Sequence, residues 1–200
     1  PGSYVLLAIP NLRDHIPGYF LSGGTATRSW KEATVITVGE MTTSDGNVIT
    51  LDVFNGGKGF AKFGGYVTVA PGGSLSGREP AGSSAGSNPL PGTFVYALDS
   101  NNSVDDYTFS DPSGWFELTE LAAINYRIVA DKVGYTTEVI TTKLDYNGQP
   151  RVGEGIKMGR STSDVALAAT RSSTLLVYPN PAISHLRLRF DAEAGRASLR

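Results

Sequence analysis

Hydrophobic and polar residues alternate with a period of two along most of the chain. Such alternation predicts β-strands that bury one face. The clearest segment is Tyr126 to Asp131, in which Tyr126, Ile128 and Ala130 share one face and Arg127 lies opposite. Further predicted strands lie at residues 4–9, 48–53, 94–98 and 186–190. The pattern therefore predicts an all-β fold.

Short polar segments separate the predicted strands. They contain the Gly, Pro, Asn and Asp residues that tight turns require, as in Ser44–Asn47, Asp111–Gly114 and Tyr146–Gly148. The 200 residues include 24 Gly and 11 Pro, and 40% of them are hydrophobic. This composition indicates a globular chain with many turns, long enough to bury a core.

Charge and hydropathy narrow the range of partners. The formal net charge is −2 and Lys and Arg are not clustered, so the sequence predicts no nucleic-acid partner. Apolar runs are only a few residues long, which predicts no transmembrane segment. The chain has no Cys, which excludes disulfides, thiol catalysis and Cys-ligated zinc.

Residues suited to catalysis are scarce. His15 and His185 are the only histidines and have no metal-ligand spacing, and a Gly-x-Ser-x-Gly elbow is absent. The segment Gly56–Gly59 lacks the Lys-Ser/Thr ending of a phosphate loop, so we interpret it as a turn. We predict a chain that is not an enzyme, with no catalytic residues and no resident cofactor apart from a calcium alternative.

That alternative rests on one polar loop. Asp99, Asn101, Ser103 and Asp105 alternate oxygen-bearing side chains in the manner of a calcium loop. The loop lacks Gly at its sixth position and has Ser110 where the twelfth should be acidic. We favour a simple connection between strands and keep a calcium site as the alternative.

Three aromatic residues could bind a ligand. Tyr19, Phe20 and Trp30 would suit stacking on sugars if they formed an exposed platform. Because aromatic side chains are mostly buried, we favour packing in the core.

The middle of the chain resembles carboxypeptidase-regulatory-like or Cna B-type modules. The resemblance rests on three segments, Leu90–Ala97, Asp111–Leu118 and Leu121–Tyr135, and extends over residues 57–158 with a Gly/Ser/Pro-rich loop at 71–91. Ala123–Asn125 departs mildly from the family pattern, which has a Gly in this stretch before the Tyr. The resemblance implies a small immunoglobulin- or prealbumin-like β-sandwich that acts as a stalk or adhesion module.

Residues 1–56 resemble the C-terminal part of a second such module. Tyr4–Ala8 and Tyr126–Ala130 share the pattern Tyr-x-(Leu/Ile)-x-Ala, and each is followed by a Gly-Tyr pair. The stretches Pro17–Phe20 and Trp30–Val38 resemble a variant found in exported proteins of the Bacteroidetes type. We therefore expect tandem sandwich modules.

The C-terminal segment carries the sharpest motif. Residues 159–173 form a predicted linker, and Tyr178, Pro179, Asn180 and Pro181 follow it. The motif and the alternating strand after it resemble the start of a type IX secretion sorting domain, here at residues 174–200. The resemblance implies the type IX machinery as a partner, export across the outer membrane and a place at the cell surface.

These features together predict a non-catalytic secreted surface protein with a structural or adhesive role. If both ends of the chain are native, strand completion by a neighbouring copy should give a homo-oligomer or fibre; a fragment of a longer polypeptide is the other interpretation. Two alternatives are open, the accessory tail of a larger secreted hydrolase (a protease or glycosidase) and a carbohydrate-binding module.

Overall fold

The chain is all-β and divides into two compact units. The computed structural model describes residues 2–39, 44–70, 88–146, 151–152, 155–161, 192–193 and 196–197, and within these ranges it contains strands, turns and no helix. Unit 1 comprises Pro1–Phe54 and Thr162–Arg200, and unit 2 comprises Asn55–Ser161. The prediction of an all-β fold is confirmed.

Unit 2 contains two sheets. The first is antiparallel throughout, in the order β11-β10-β7-β8, with β7 at Phe94–Leu98, β8 at Val104–Phe109, β10 at Asn125–Asp131 and β11 at Glu138–Lys143. The second is centred on β6, Ala61–Val69, which pairs antiparallel with β9, Trp115–Leu121. It also pairs in parallel with the short strands β12, Arg151–Val152, and β13, Ile156–Met158.

One hydrophobic core lies between the inner faces of these two sheets. Alternate residues of β6 and β9 face alternate residues of β7 and β10 across it, which makes unit 2 a β-sandwich. Its central members, all fully buried, are Phe63, Val67, Val95, Ala97, Phe116, Leu118, Ile128 and Ala130.

Strand β10 follows its predicted alternation, whereas β7 does not. Tyr126, Ile128 and Ala130 all lie in the core, as expected. In β7, however, Val95 and Ala97 face the core, and the flanking Phe94 and Tyr96 are buried as well. The rings of Phe94 and Tyr96 pack together on the opposite face of the sheet, with centroids 4.9 Å apart. This strand is buried on both faces, so alternation could not identify its core face.

Unit 1 is built from much shorter strands. Strand β1, Gly2–Tyr4, pairs antiparallel with β5, Ile36–Val38. A three-stranded antiparallel sheet joins β2, Leu7–Ala8, to β3, Gly18–Phe20, and β3 to β4, Ala26–Thr27. Its core consists of Leu6, Phe20, Ile36, Val38 and Ile49.

Two sequence predictions for unit 1 are wrong in detail. Residues 4–9 do not form one strand, because β1 ends at Tyr4 and β2 begins at Leu7. Residues 48–53 form no strand and make only isolated bridges, Thr50 with Thr25 and Val53 with His15. Alternation marks residues able to form a strand, but a ladder also requires a neighbour with matching register.

Little of the predicted C-terminal segment lies within the described residues. Strands β14, Ala192–Glu193, and β15, Arg196–Ala197, form a short antiparallel pair. The predicted strand at 186–190 and most of the predicted linker lie outside the described residues. Nowhere in the described ranges is there a helix with the length and apolar character needed to cross a bilayer.

Candidate functional site

The segment at the start of unit 2 is bound to the sandwich rather than forming the turn that the sequence predicts. We call residues 55–60 the strap. The strap runs along the end of β9, where the N–H of Gly59 donates to the carbonyl of Glu120 at 2.8 Å. A Cβ atom at Gly57 would lie 2.6 Å from the carbonyl oxygen of Glu120, and one at Gly59 would lie 2.8 Å from Cα of Ala122. Only glycine permits so close an approach.

Lys58, between these two glycines, extends to two carboxylates of the first sheet. Its Nζ lies 2.5 Å from Oδ1 of Asp105 and 3.4 Å from Oδ2 of Asp99. The Lys58 side chain is 49% exposed, whereas Asp105 is completely buried. The contact with Asp105 raises the pKa of Lys58 above its ordinary value, against the opposing effect of burial. The ammonium group therefore stays charged and neutralises a carboxylate that water does not reach.

Asp105 is held from its other side by a buried tyrosine. The hydroxyl of Tyr126 donates to Oδ2 of Asp105 at 2.8 Å and accepts the N–H of Ala122 at 3.1 Å. Within the described residues, Oδ1 of Asp105 has no partner of good hydrogen-bond geometry. The Lys58 ammonium group pairs with that oxygen by charge. Burial, and then the Asp105 carboxylate, raise the pKa of Tyr126.

Asp99 combines a turn with the second contact to Lys58. Its Oδ1 accepts the N–H groups of Asn101 at 2.8 Å and Ser103 at 2.9 Å, which closes the β7–β8 connection. Burial acts to raise the pKa of Asp99, but these two N–H groups and the Lys58 ammonium together lower it. The carboxylate of Asp99 thus stays ionised beside Lys58.

The structure brings together two of the four residues of the calcium alternative. Asp99 and Asp105 meet at Lys58, whereas Asn101 and Ser103 present backbone N–H groups to Asp99. No group of three or more His, Cys, Asp or Glu residues able to hold a metal occurs in the described part of the chain. A cation is already present, because the lysine lies between the carboxylates. The calcium site stays a prediction.

The other described sequence candidates belong to unit 1. Tyr19, Phe20 and Trp30 are buried in unit 1 and present no exposed platform. His15 lies in a loop, with Nδ1 3.0 Å from Oδ1 of Asp14. The sorting motif, Tyr178, Pro179, Asn180 and Pro181, and also His185, lie outside the described residues.

Asp106 joins the two sheets along one side of the sandwich. Its Oδ2 accepts the N–H of Thr119 in β9 at 2.5 Å, and its Oδ1 accepts the N–H of Tyr107 at 2.7 Å. Strand β8 at the end of the first sheet is thereby bonded to β9 at the end of the second. A carboxylate between adjacent sheet edges occupies polar groups that could otherwise bind another strand.

The outer face of the second sheet carries a partly exposed aromatic pair. Tyr66 and Trp115 are opposite each other in β6 and β9, with ring centroids 5.0 Å apart and an interplanar angle of 65°. The Trp115 ring lies across Gly64, where a Cβ atom would come within 2.8 Å of it. Lys62 and Glu117, 3.5 Å apart, lie beside the rings. Tyr66 is 49% exposed.

Few features of the sequence pointed to the lysine cluster. Asp105 was assigned to a polar loop between strands, whereas the structure places it in β8, and Lys58 was noted only within a glycine-rich turn. Lys58 and Asp105 are 47 positions apart in the sequence, so no local pattern connects them.

Comparison with known proteins gives few matches. No family model matches the sequence, and no curated protein matches it. Among solved structures, the chain is similar to a variant of BcpA, the major pilin subunit of Bacillus cereus. The match has 15% identity and a TM-score of 0.35, and it covers 56% of this chain. The chain spans 33% of the length of that pilin, and a likeness of this size carries no argument about function.

Proposed function

We propose that the chain is a non-catalytic, structural or adhesive part of a secreted cell-surface protein. In this proposal it associates with further copies through β-strand addition. The support comes from unit 2, a sandwich whose two sides differ in how their edge strands are bonded.

Strand β11 is the observation that carries the proposal. It ends the first sheet and has a ladder partner, β10, on one side only among the described strands. Just before this strand, the N–H of Thr136 donates to the carbonyl of Gly159, the residue after β13 of the second sheet, at 2.8 Å. Within the strand, Val139 to Thr142 are β-branched, and Val139 is 52% exposed. A regular edge of this kind accepts an extended strand from another chain.

A lysine at the exposed position of β11 tests the proposal. Charged side chains on edge strands oppose strand addition, so Val139→Lys should prevent association. Val48→Lys is the matched control, because Val48 is also partly exposed but lies outside the strands. We expect light scattering to give a mass that rises with concentration for the unchanged chain and for Val48→Lys, and a single-chain mass for Val139→Lys. A single-chain mass for the unchanged protein at every concentration would refute strand addition.

Export through the type IX route is a separate part of the proposal. It rests on the resemblance of Tyr178, Pro179, Asn180 and Pro181 to a sorting motif. Replacement of these four residues by alanine, in a cell with the type IX machinery, should leave the protein in the cell envelope. Unchanged appearance at the cell surface would contradict this route.

A carbohydrate-binding role is the second candidate, favoured by the partly exposed pair Tyr66 and Trp115. An aromatic face offers stacking to a sugar ring, and Lys62 and Glu117 beside it offer hydrogen bonds. If a glycan array gives a hit, Tyr66→Ala should abolish binding and Val53→Ala, at an exposed side chain of unit 1, should preserve it. Binding that survives Tyr66→Ala would exclude this face.

A further inference from the structure

We propose that the strap, residues 55–60, opens and closes on unit 2 as one piece, and that Lys58 is the residue that holds it closed. This goes beyond a structural or adhesive role, because it assigns a conformational device to a particular segment.

The strap is anchored at its middle. Lys58 contacts Asp105 and Asp99, and the adjacent Gly59 bonds to Glu120. The residues on both sides are loosely surrounded. Phe60 is 91% exposed, and a Cβ added at Gly56, which has φ of +81°, would meet nothing within 4 Å. A segment with one anchor and open flanks can detach without disturbing the strands beyond it.

Opening of the strap has a definite electrostatic consequence. Asp105 is completely buried, and the Lys58 ammonium is the cation that faces its Oδ1. When Lys58 leaves, the carboxylate must either remain uncompensated or admit water. Either result is unfavourable, so the Lys58 contact favours the closed position of the strap.

The glycines fix where the strap docks. A side chain at position 57 or 59 would overlap the backbone of residues 120–122. Lys58 therefore reaches the carboxylates only when both glycines lie flat against the end of β9. Asp105 thus specifies the docked position, a role in which a buried charge can outweigh its cost to stability.

The strap also affects how a pulling force applied along the chain reaches unit 2. Phe54, the residue before the strap, donates its N–H to the carbonyl of Asp14 within unit 1. Strand β6 begins directly after the strap, at Ala61. Pulling on residue 55 therefore loads the Lys58 contact before it loads the central strand of the second sheet.

Amide hydrogen exchange tests the proposal on the full chain. The Gly59 amide is hydrogen-bonded only while the strap is closed, so its exchange reports opening. We expect the Gly59 amide to be less protected than the amides of β7 and β10, and Lys58→Met to accelerate its exchange by at least about tenfold. Lys62→Met is the matched control, because Lys62 contacts Glu117 on the open face of β6. It should leave Gly59 unchanged.

Asp105→Asn provides a second variant that keeps the side-chain shape and removes the charge. It should accelerate exchange at Gly59 as well. Equal rates at Gly59 in the unchanged chain and in both variants would overturn the proposal. Equal protection of Gly59, β7 and β10 would also overturn it, since the strap would then open only with the whole unit.

Discussion

Unit 1 and unit 2 use the same alternating pattern but differ in the length of strand that it supports. Among the described residues, unit 2 has six strands of five to nine residues, and unit 1 has seven strands of two or three residues. The central side chains of unit 2 are almost inaccessible to solvent, whereas those of unit 1 remain slightly exposed. Long strands allow two sheets to cover each other's inner faces, whereas with short strands loops must cover more of the core.

The comparison also separates two ways of using charge. Unit 2 places Asp105 inside its fold and compensates it with Lys58, which links the strap to the first sheet. Ion pairs in unit 1 lie at the surface, as for Arg28 and Asp52 at 3.5 Å. Only the first arrangement makes the position of one segment depend on another.

Removal of a large core side chain should give the largest difference between the units. Phe116 is fully buried against Phe63, with ring centroids 6.0 Å apart, so Phe116→Ala should cost unit 2 about 4 kcal/mol. Phe20→Ala should cost unit 1 less, about 2 kcal/mol, because its site can relax and is reached by solvent. Denaturant unfolding followed by amide exchange in each unit measures both values. Equal losses would contradict the difference in packing.

Removal of the lysine of the strap should have the next largest effect. Lys58→Met leaves the Asp105 carboxylate buried without its cation, and we expect a loss of about 2 kcal/mol, which allows for the half-exposed lysine. Lys62→Met removes only a surface pair and should change the free energy of unfolding by less than about 0.5 kcal/mol. Urea unfolding compares the two. If Lys58→Met lowered the free energy of unfolding no more than Lys62→Met does, the burial of Asp105 would have no effect on stability.

The stabilising effect of the contact between Lys58 and Asp99 should also decrease at low pH and at high pH. The pKa of Asp99 is lowered from 3.8, so its stabilising effect is present above that value and is lost as the pH falls through the lower, folded pKa. The pKa of Lys58 is raised from 10.5, so its effect is present below that value and is lost as the pH rises through the folded pKa. Unfolding measured against pH should show a smaller acid loss in Asp99→Asn. If Asp99→Asn and the unchanged chain lost the same stability in acid, Asp99 would not be a source of the acid dependence.

The smallest expected difference concerns turns. Oδ1 of Asp111 accepts the N–H groups of Ser113 at 2.8 Å and Trp115 at 3.0 Å, which positions the start of β9. Asp111→Ala should lower the melting temperature, though by less than Lys58→Met does, because the turn is exposed. Asn47→Ala, in a unit 1 turn that leads into no strand, should lower it less still. Thermal unfolding that ranks these variants in the reverse order would contradict the comparison.

Much of unit 2 was predictable from the sequence because its strands are long. Alternation identified β10 and its three core residues, and the turn at Asp111–Gly114 was recognised from its composition. Residues 48–53 show the limit of the method, since a strand-like pattern without a partner in register gave only isolated bridges.

The candidate site was much less predictable. Asp99 and Asp105 were selected for their oxygen atoms, and calcium was the cation considered. The structure instead places the lysine of a glycine-rich segment over them. This contact depends on how the start of unit 2 docks on the end of β9, which is tertiary information. A local pattern reports residue types and spacing, and it carries no signal for such docking.

A double-mutant cycle on Lys58 and Asp105 tests the central claim most directly. The free energies of unfolding would be measured for Lys58→Met, Asp105→Leu, the double variant and the unchanged chain. We predict that the double variant is more stable than Lys58→Met alone, with a coupling energy of at least about 1 kcal/mol, because it removes the buried charge together with its cation. Costs that add to within about 0.5 kcal/mol would contradict the claim that Lys58 compensates Asp105.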